Sequence, residues 1–242
     1  MWSIYAAKVA GVGRIFRTGG AQAIAAMTFG TESIPRVDKL FGPGNRYVME
    51  AKRQATLRGC AIDMPAGPSE VLVIADEYAD PAFVASDFLS QAEHGPDSQS
   101  ILLTTSGRLL EALPGVIDGM LATLPRRDMM MHSLEHSRLI LMHDDDEMME
   151  FSNLYAPEHL ILNHRDADLL CAKVRNAGSV FIGPWSPESA GDYASGTNHT
   201  LHTSGYARAY SGVNIDSFMR KITFQKLTPE GIAALAPTVI AM

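Results

Sequence analysis

The sequence predicts an α/β fold built around a largely parallel sheet. Short apolar segments alternate with helical segments along most of the 242 residues, and such alternation is typical of right-handed βαβ units. Residues 70–75 form an almost continuous apolar run, as expected of a strand that is covered on both faces. A chain of this length can bury a sizeable core without disulfide bonds.

Glycine turns and helix-forming runs predict the first elements. Gly19 and Gly20 turn the chain into an alanine-rich stretch that strongly favours a helix, and a second glycine turn at 42–45 precedes another helical segment. The predicted elements are a helix over 4–9, a strand over 14–18, a helix over 21–27, a strand over 39–41 and a helix over 46–58.

The remaining regular elements begin with the apolar strand at 70–75. Asp80 and Pro81 provide an N-cap and a first-turn proline for the next helix. The predicted elements are a helix over 82–93, a strand over 100–104, a helix over 109–124 that contains Pro114, a strand over 138–142, a helix over 145–154, a strand over 159–162, a helix over 167–176, a strand over 179–182 and a last helix over 229–242. Between 183 and 212 the pattern fails, and loops of this length in compact domains are usually functional or disordered.

Composition argues against several classes of protein. The chain has 27 Asp plus Glu against 20 Lys plus Arg, without the basic stripe that a nucleic-acid binder needs. No apolar run approaches the roughly 20 residues of a membrane-spanning helix, and the first residues do not resemble a signal peptide. Two cysteines, Cys60 and Cys171, are too few for a disulfide framework and fit a reducing compartment. We therefore expect a cytoplasmic protein that binds neither nucleic acid nor membrane.

Gln91 and His94 are three residues apart at the end of a predicted helix, so they share one face. Ligands of an open parallel sheet bind at the carboxyl ends of its strands, whereas this helix ends at the opposite edge. A histidine at a helix end also interacts favourably with the helix dipole, so a structural role for His94 stays open.

Glu158 and His159 lie at the mouth of a predicted buried strand. Burying such a pair is costly unless it is used, and a carboxylate beside an imidazole suits general acid–base catalysis near neutral pH. The alternative is a solvated start of the strand.

The irregular stretch at 187–199 contains two acids, a histidine and several hydroxyl groups. His94, Asp192 and a further histidine are ligand types that zinc sites use, although a capping loop remains the alternative. His132 and His136 are also spaced as zinc ligands, but the glutamate between them is misplaced for a metalloprotease, and we expect a solvated helix face. The methionines at 129–131 and 148–149 are expected to be flexible filler.

Glycine patterns alone indicate a dinucleotide site only weakly. No G-x-G-x-x-G motif follows a predicted strand. The turns at Gly19–Gly20 and at 42–45 can still present backbone N–H groups to a phosphate.

Together these segments resemble the histidinol dehydrogenase family. The matching stretches are GGAQAIA at 19–25, FGPGN at 41–45, EAKRQ at 50–54, IDMPAGPSE at 62–70, SQAEHGPDSQ at 90–99, APEHL at 156–160 and SPESAGDYASGTNH at 186–199. They occur in the order of the family over almost the whole chain.

The resemblance implies a zinc-containing, NAD-dependent homodimer that oxidises L-histidinol through L-histidinaldehyde to L-histidine in histidine biosynthesis. It implies incomplete Rossmann-like parallel sheets flanked by helices, in two intertwined domains. Residues 1–70 would form the cofactor-side domain, 71–213 a second domain that lacks its N-terminal half but carries the metal and catalytic residues, and 214–242 a truncated helical extension. Family chains run further at both ends, so we expect this chain to be truncated.

The same resemblance assigns roles to particular residues. Glu158 and His159 correspond to the acid–base pair. Gln91, His94 and Asp192 correspond to zinc ligands that also meet the substrate, and Ser69 and His199 to further substrate contacts. Gln22 and Asn45 correspond to NAD contacts.

Three other functions remain open beside this one. The first is an inactive fragment that serves only as a folding or dimerisation module. The second is a related dehydrogenase of another amino alcohol or polyol, and the third is a zinc hydrolase. The complete SPESAGD and APEH motifs favour histidinol over the second alternative.

Overall fold

The computed structural model describes residues 2–65 and 67–242, so position 66 of the matching stretch 62–70 lies outside the described residues. Its strands are β1 (Lys39–Leu40), β2 (Ala61–Ile62), β3 (Glu70–Ala75), β4 (Gln99–Thr104), β5 (Arg138–Leu141), β6 (His159–Asn163) and β7 (Ser179–Ile182). Its helices are α1 (Trp2–Val9), α2 (Gly20–Phe29), α3 (Arg46–Thr56), α4 (Pro81–Ser90), α5 (Gly107–Leu121), α6 (Arg127–Glu135), α7 (Asp145–Tyr155), α8 (Ala167–Cys171), α9 (Glu188–Tyr193) and α10 (Pro229–Ala241). Short 3-10 helices lie at Tyr206–Arg208 and Ile215–Phe218.

The larger sheet has five parallel strands in the order β5-β4-β3-β6-β7. Its first strand in the chain, β3, lies in the centre, and the chain adds two strands on one side before it crosses to the other. That order matches five positions of a Rossmann-type sheet. The prediction of an α/β fold with parallel sheets flanked by helices is confirmed.

The core of the larger sheet consists of two apolar layers. Val71, Val73 and Ala75 of β3 pack with α4 and α5 on one face, and Leu72 and Ile74 pack with α7 and α8 on the other. Successive side chains of a strand point to opposite faces, so a strand covered on both faces needs the uninterrupted apolar run that the sequence shows.

A smaller parallel sheet of β1 and β2 packs with α2 and α3. Its core contains Ile24, Leu40, Ala55 and Cys60. The boundary predicted between residues 70 and 71 falls at the start of β3, close to where the small sheet gives way to the large one. The division into domains stays a prediction.

Several predicted elements are wrong in detail. The strand expected over 14–18 is irregular and exposed, and no described strand pairs with it to satisfy its backbone groups. The helices predicted over 82–93 and 167–176 end early, at Ser90 and Cys171. Helices α6 and α9 were not predicted, because each is too short to show a clear apolar period.

The chain ends are poorly covered in this structure. None of the residues of α1 or α10 is buried, and apolar side chains along 215–227 are exposed as well. Among the described helices, none has both the length and the apolar character that crossing a bilayer requires.

Candidate functional site

A cavity of ≈ 970 Å³ lies where the two sheets approach each other. One wall comes from residues that follow β1 and β2, and the other from residues that precede or begin β3 and β6. The carboxyl ends of the small sheet therefore face the amino ends of the large one. This volume is in the range of small-molecule and cofactor sites.

Eight of the nine predicted site residues line this cavity. They are Asn45, Ser69, Gln91, His94, Glu158, His159, Asp192 and His199. The ninth, Gln22, is exposed near the start of α2 and is not part of the lining. The direction of α4 predicts that Gln91 and His94 lie at the amino edge of the large sheet, and the cavity opens at that edge.

The predicted acid–base pair, Glu158 and His159, is oriented by the main chain of Glu70. The N–H of Glu70 donates to Glu158 Oε2 at 2.9 Å, and the ring nitrogen His159 Nδ1 lies 3.2 Å from the carbonyl oxygen of Glu70. A carbonyl oxygen only accepts, so Nδ1 carries the proton of the neutral ring and Nε2 keeps its lone pair. His159 Nε2 is buried and has no hydrogen-bond partner among the described residues.

Burial shifts the pKa of both Glu158 and His159 from their ordinary values. It raises the pKa of Glu158 to about 8, and the nearby acids Glu70, Glu188 and Asp192 add to the effect. It lowers the pKa of His159 to about 4. Near neutral pH the imidazole is therefore neutral and able to accept a proton on Nε2.

A cluster of metal-ligand side chains lies beside the pair. Ligand atoms of His94, Glu188 and Asp192 all lie within 4.8 Å of one another. Glu188 and Asp192 are four residues apart on α9, so they share one face of that helix. Glu188 Oε1 also lies 3.9 Å from His159 Nε2, which joins the cluster to the acid–base pair.

The donor set of this cluster fits a zinc ion. An imidazole and two carboxylates are ligands that zinc accepts. Gln91 lines the same cavity, and its buried amide nitrogen has no hydrogen-bond partner among the residues described. Turning that amide by half a rotation would present its oxygen as a further ligand.

The opposite wall fits a phosphate-bearing cofactor. Asn45 caps α3, because its Oδ1 accepts hydrogen bonds from the N–H groups of Tyr47 and Val48 at 3.1 and 3.2 Å. The turn at 42–45 thus leads directly into a helix N-terminus, where backbone N–H groups favour anions. At Gly44 a Cβ atom would overlap the Val48 side chain, so the turn requires glycine there.

Two acidic residues near the predicted pairs were missed from the sequence. Glu188 could have been found from the sequence, since Pro187 is the N-cap of α9 and Asp192 follows Glu188 at helical spacing. Glu70 could not have been found, because its main chain rather than its side chain contacts the pair.

Comparisons with known proteins identify the family of the chain. The family model described as Histidinol dehydrogenase matches residues 2–242. The histidinol dehydrogenase of Bacteroides fragilis (strain YCH46) is 58% identical over 239 residues, which are 99% of this chain and 56% of the relative. That of Escherichia coli (strain K12) is 56% identical over 98% of this chain and 55% of its own length.

A solved structure gives the same result. The crystal structure of histidinol dehydrogenase from Elizabethkingia anophelis superposes with a TM-score of 0.93 at 56% sequence identity, over 97% of this chain and 54% of that one. The chain spans about half the length of the curated relatives that it matches. With matches of this extent and identity, the chain belongs to the histidinol dehydrogenase family.

Proposed function

We propose that this chain carries the catalytic site of a zinc-containing, NAD-dependent histidinol dehydrogenase, which oxidises L-histidinol to L-histidine through L-histidinaldehyde in histidine biosynthesis. The observation that supports this most is the convergence of Glu158 and His159 with His94 and Asp192 on one cavity. The proposal includes a homodimer located in the cytoplasm.

Gln91, His94 and Asp192 would hold a zinc ion, whose positive charge would help to orient the nitrogens of histidinol, and bound NAD would be the hydride acceptor. His159 Nε2 takes the hydroxyl proton as hydride leaves the carbinol carbon. For the second oxidation, the carboxylate form of Glu158, which predominates only above its pKa of about 8, removes a proton from the water that hydrates the aldehyde.

The remaining residues of the cavity bind and orient. Ser69 and His199 contact the substrate near the metal ligands. Asn45 and Gln22 contact NAD at the opposite wall, and Gln22 reaches it from outside the cavity lining.

The direct test is the formation of NADH by this chain with added zinc, NAD and L-histidinol. We expect NADH with histidinol, little with other amino alcohols, and none from the His159→Ala variant. Equal turnover of an unrelated amino alcohol would favour a related dehydrogenase instead.

A second candidate is an interaction module without activity. It is favoured by the exposed apolar residues along 215–227 and on α10. A chain that self-associates and binds zinc and NAD but forms no NADH would support this alternative and contradict the catalytic proposal.

A further inference from the structure

A buried ion pair lies in the cofactor-side wall of the cavity. Lys52 of α3 pairs with Asp63, which follows β2, and their side chains are only 2% and 1% exposed. Taking both charges out of water costs free energy that their attraction offsets only in part. Apolar side chains at these two positions would stabilise the fold about as well. What only the ion pair can provide is its set of hydrogen bonds.

Those hydrogen bonds converge on one residue of the turn at 42–45. Lys52 Nζ donates to the carbonyl oxygen of Gly42 at 2.9 Å. The N–H of Gly42 donates to Asp63 Oδ2 at 2.8 Å, while Asp63 Oδ1 accepts from the N–H of Met64 at 2.7 Å. Both polar backbone groups of Gly42 are therefore held by the pair, which two apolar side chains could not do.

The turn is thus fixed at both of its ends. Gly42 has a φ of 129°, a conformation that favours glycine, and the ion pair holds it there. At the other end Asn45 is tied to the first turn of α3. The residues between these anchors, Pro43 and Gly44, line the cavity.

We infer that Lys52 and Asp63 are positioning residues that clamp the turn at 42–45 in the geometry that binds the cofactor. The inference rests on the proposed function in one respect, namely that the ligand of this turn is NAD. The two residues act through Gly42 and do not touch the reacting atoms.

The test compares two double variants. Lys52→Met with Asp63→Asn removes both buried charges at nearly constant volume. Lys173→Met with Asp146→Asn removes an exposed pair of the same type, which joins α7 to the segment after α8 at 2.6 Å. Both are assayed below their unfolding transitions for NAD affinity, zinc affinity and amide hydrogen exchange over 41–49.

We expect the buried double variant to bind NAD about 10-fold to 100-fold more weakly and to exchange faster over 41–49. Its zinc affinity should stay unchanged, because the metal ligands lie on the opposite wall, and a general loss of structure would lower both affinities. The exposed double variant should match the unsubstituted chain in every assay. Unchanged NAD affinity and unchanged exchange in the buried variant would overturn the inference.

A measurement on the unsubstituted chain keeps the inference testable if that variant does not fold. In the unsubstituted chain the amides of Gly42 and Met64 should be protected from exchange, and rapid exchange at both would overturn the clamp. A chain that binds no NAD at all would refute the proposed function, while the exchange measurements would still decide whether the clamp exists.

Discussion

Glu70 holds Glu158 and His159, the proposed acid–base pair, through its main chain and not through its carboxyl group. Its N–H and C=O meet Glu158 and His159 respectively, while its side-chain Oε1 accepts from the N–H of Ser204 at 2.8 Å. Because both contacts come from one peptide segment of β3, Glu158 and His159 keep a fixed spacing relative to each other.

Gly178 makes a close backbone approach behind this pair. A Cβ atom at Gly178 would lie 2.5 Å from the carbonyl oxygen of Glu158. We expect Gly178→Ala to displace Glu158, to cost about 1–3 kcal/mol of stability through overpacking, and to lower the rate of histidinol oxidation. Gly107→Ala is the matched control, since no heavy atom lies within 4 Å of the added Cβ. Equal activity and equal denaturant midpoints for the two variants would contradict this account.

The raised pKa of Glu158 predicts how stability depends on pH. In the folded chain the pKa of Glu158 is about 8, whereas a glutamate in an unfolded chain has a pKa of about 4.3. Since folding raises this pKa, its contribution to stability is full below the unfolded value and is lost as pH rises towards the folded value.

We therefore expect the unsubstituted chain to lose free energy of unfolding as the pH rises from 5 to 8. The Glu158→Gln variant should lose less, and the difference between the two losses should exceed about 1 kcal/mol. Urea unfolding at the two pH values measures this difference. The exposed Glu111→Gln serves as the control and should follow the unsubstituted chain. Parallel pH profiles for all three proteins would show that Glu158 does not carry the effect.

Helix α9 is only six residues long, yet it contributes two acidic side chains to the candidate site. Six residues bring Glu188 and Asp192 to the same face beside His94. Burial and the neighbouring Asp192 raise the pKa of Glu188 to about 7, as expected of two acids crowded together at a buried site.

We expect Glu188→Gln and Asp192→Asn each to weaken zinc binding, by about 10-fold to 100-fold. Each change removes a negative charge from the ligand cluster while retaining its shape. Competition with a chromophoric chelator measures the affinity without reference to turnover. Asp216→Asn, in an exposed 3-10 helix, is the control, and a similar loss in that variant would point to a general charge effect.

The elements also show which parts of the molecule a sequence reveals. The apolar run of β3 and the cap at Asp80 are local patterns, so both were predicted correctly. The stretch at 14–18 has the residues of a strand, but pairing depends on a partner that local sequence does not specify. Helix α9 is too short to show a period.

In the candidate site, too, some contacts are visible in the sequence and others are not. Glu158 and His159 are adjacent in sequence, which made them visible as a pair. Lys52 and Asp63 meet across 11 residues, and their common target, Gly42, shows no feature that points to either of them. Contacts of this kind follow from the packing of α3 on the small sheet, which only the folded structure reveals.

On the scale of the whole molecule, the C-terminal helix lacks a covering surface. Ile232, Leu235 and Val239 lie on one face of α10 at helical spacing, and all three are exposed. Apolar faces of this kind are usually buried against a partner. We expect the chain to form a dimer at micromolar concentration, measured by light scattering.

The matched variants place charges on that face. Ile232→Glu with Leu235→Glu should convert the dimer to a monomer, because each carboxylate would have to be desolvated in the interface. Glu230→Gln, on the first turn of the same helix, should leave the dimer intact. A monomeric unsubstituted chain would contradict the prediction of a homodimer.

The opposed directions of two helices give the cavity an electrical polarity. Helix α3 begins directly after the turn at 42–45, whereas α4 ends at Ser90, immediately before Gln91 on the other wall. Aligned peptide dipoles place about half a positive charge at the first helix end and about half a negative charge at the second. The backbone alone therefore creates a potential gradient that would draw the phosphates of the proposed NAD to one wall and the proposed zinc ion to the other, whatever the protonation of the side chains between them.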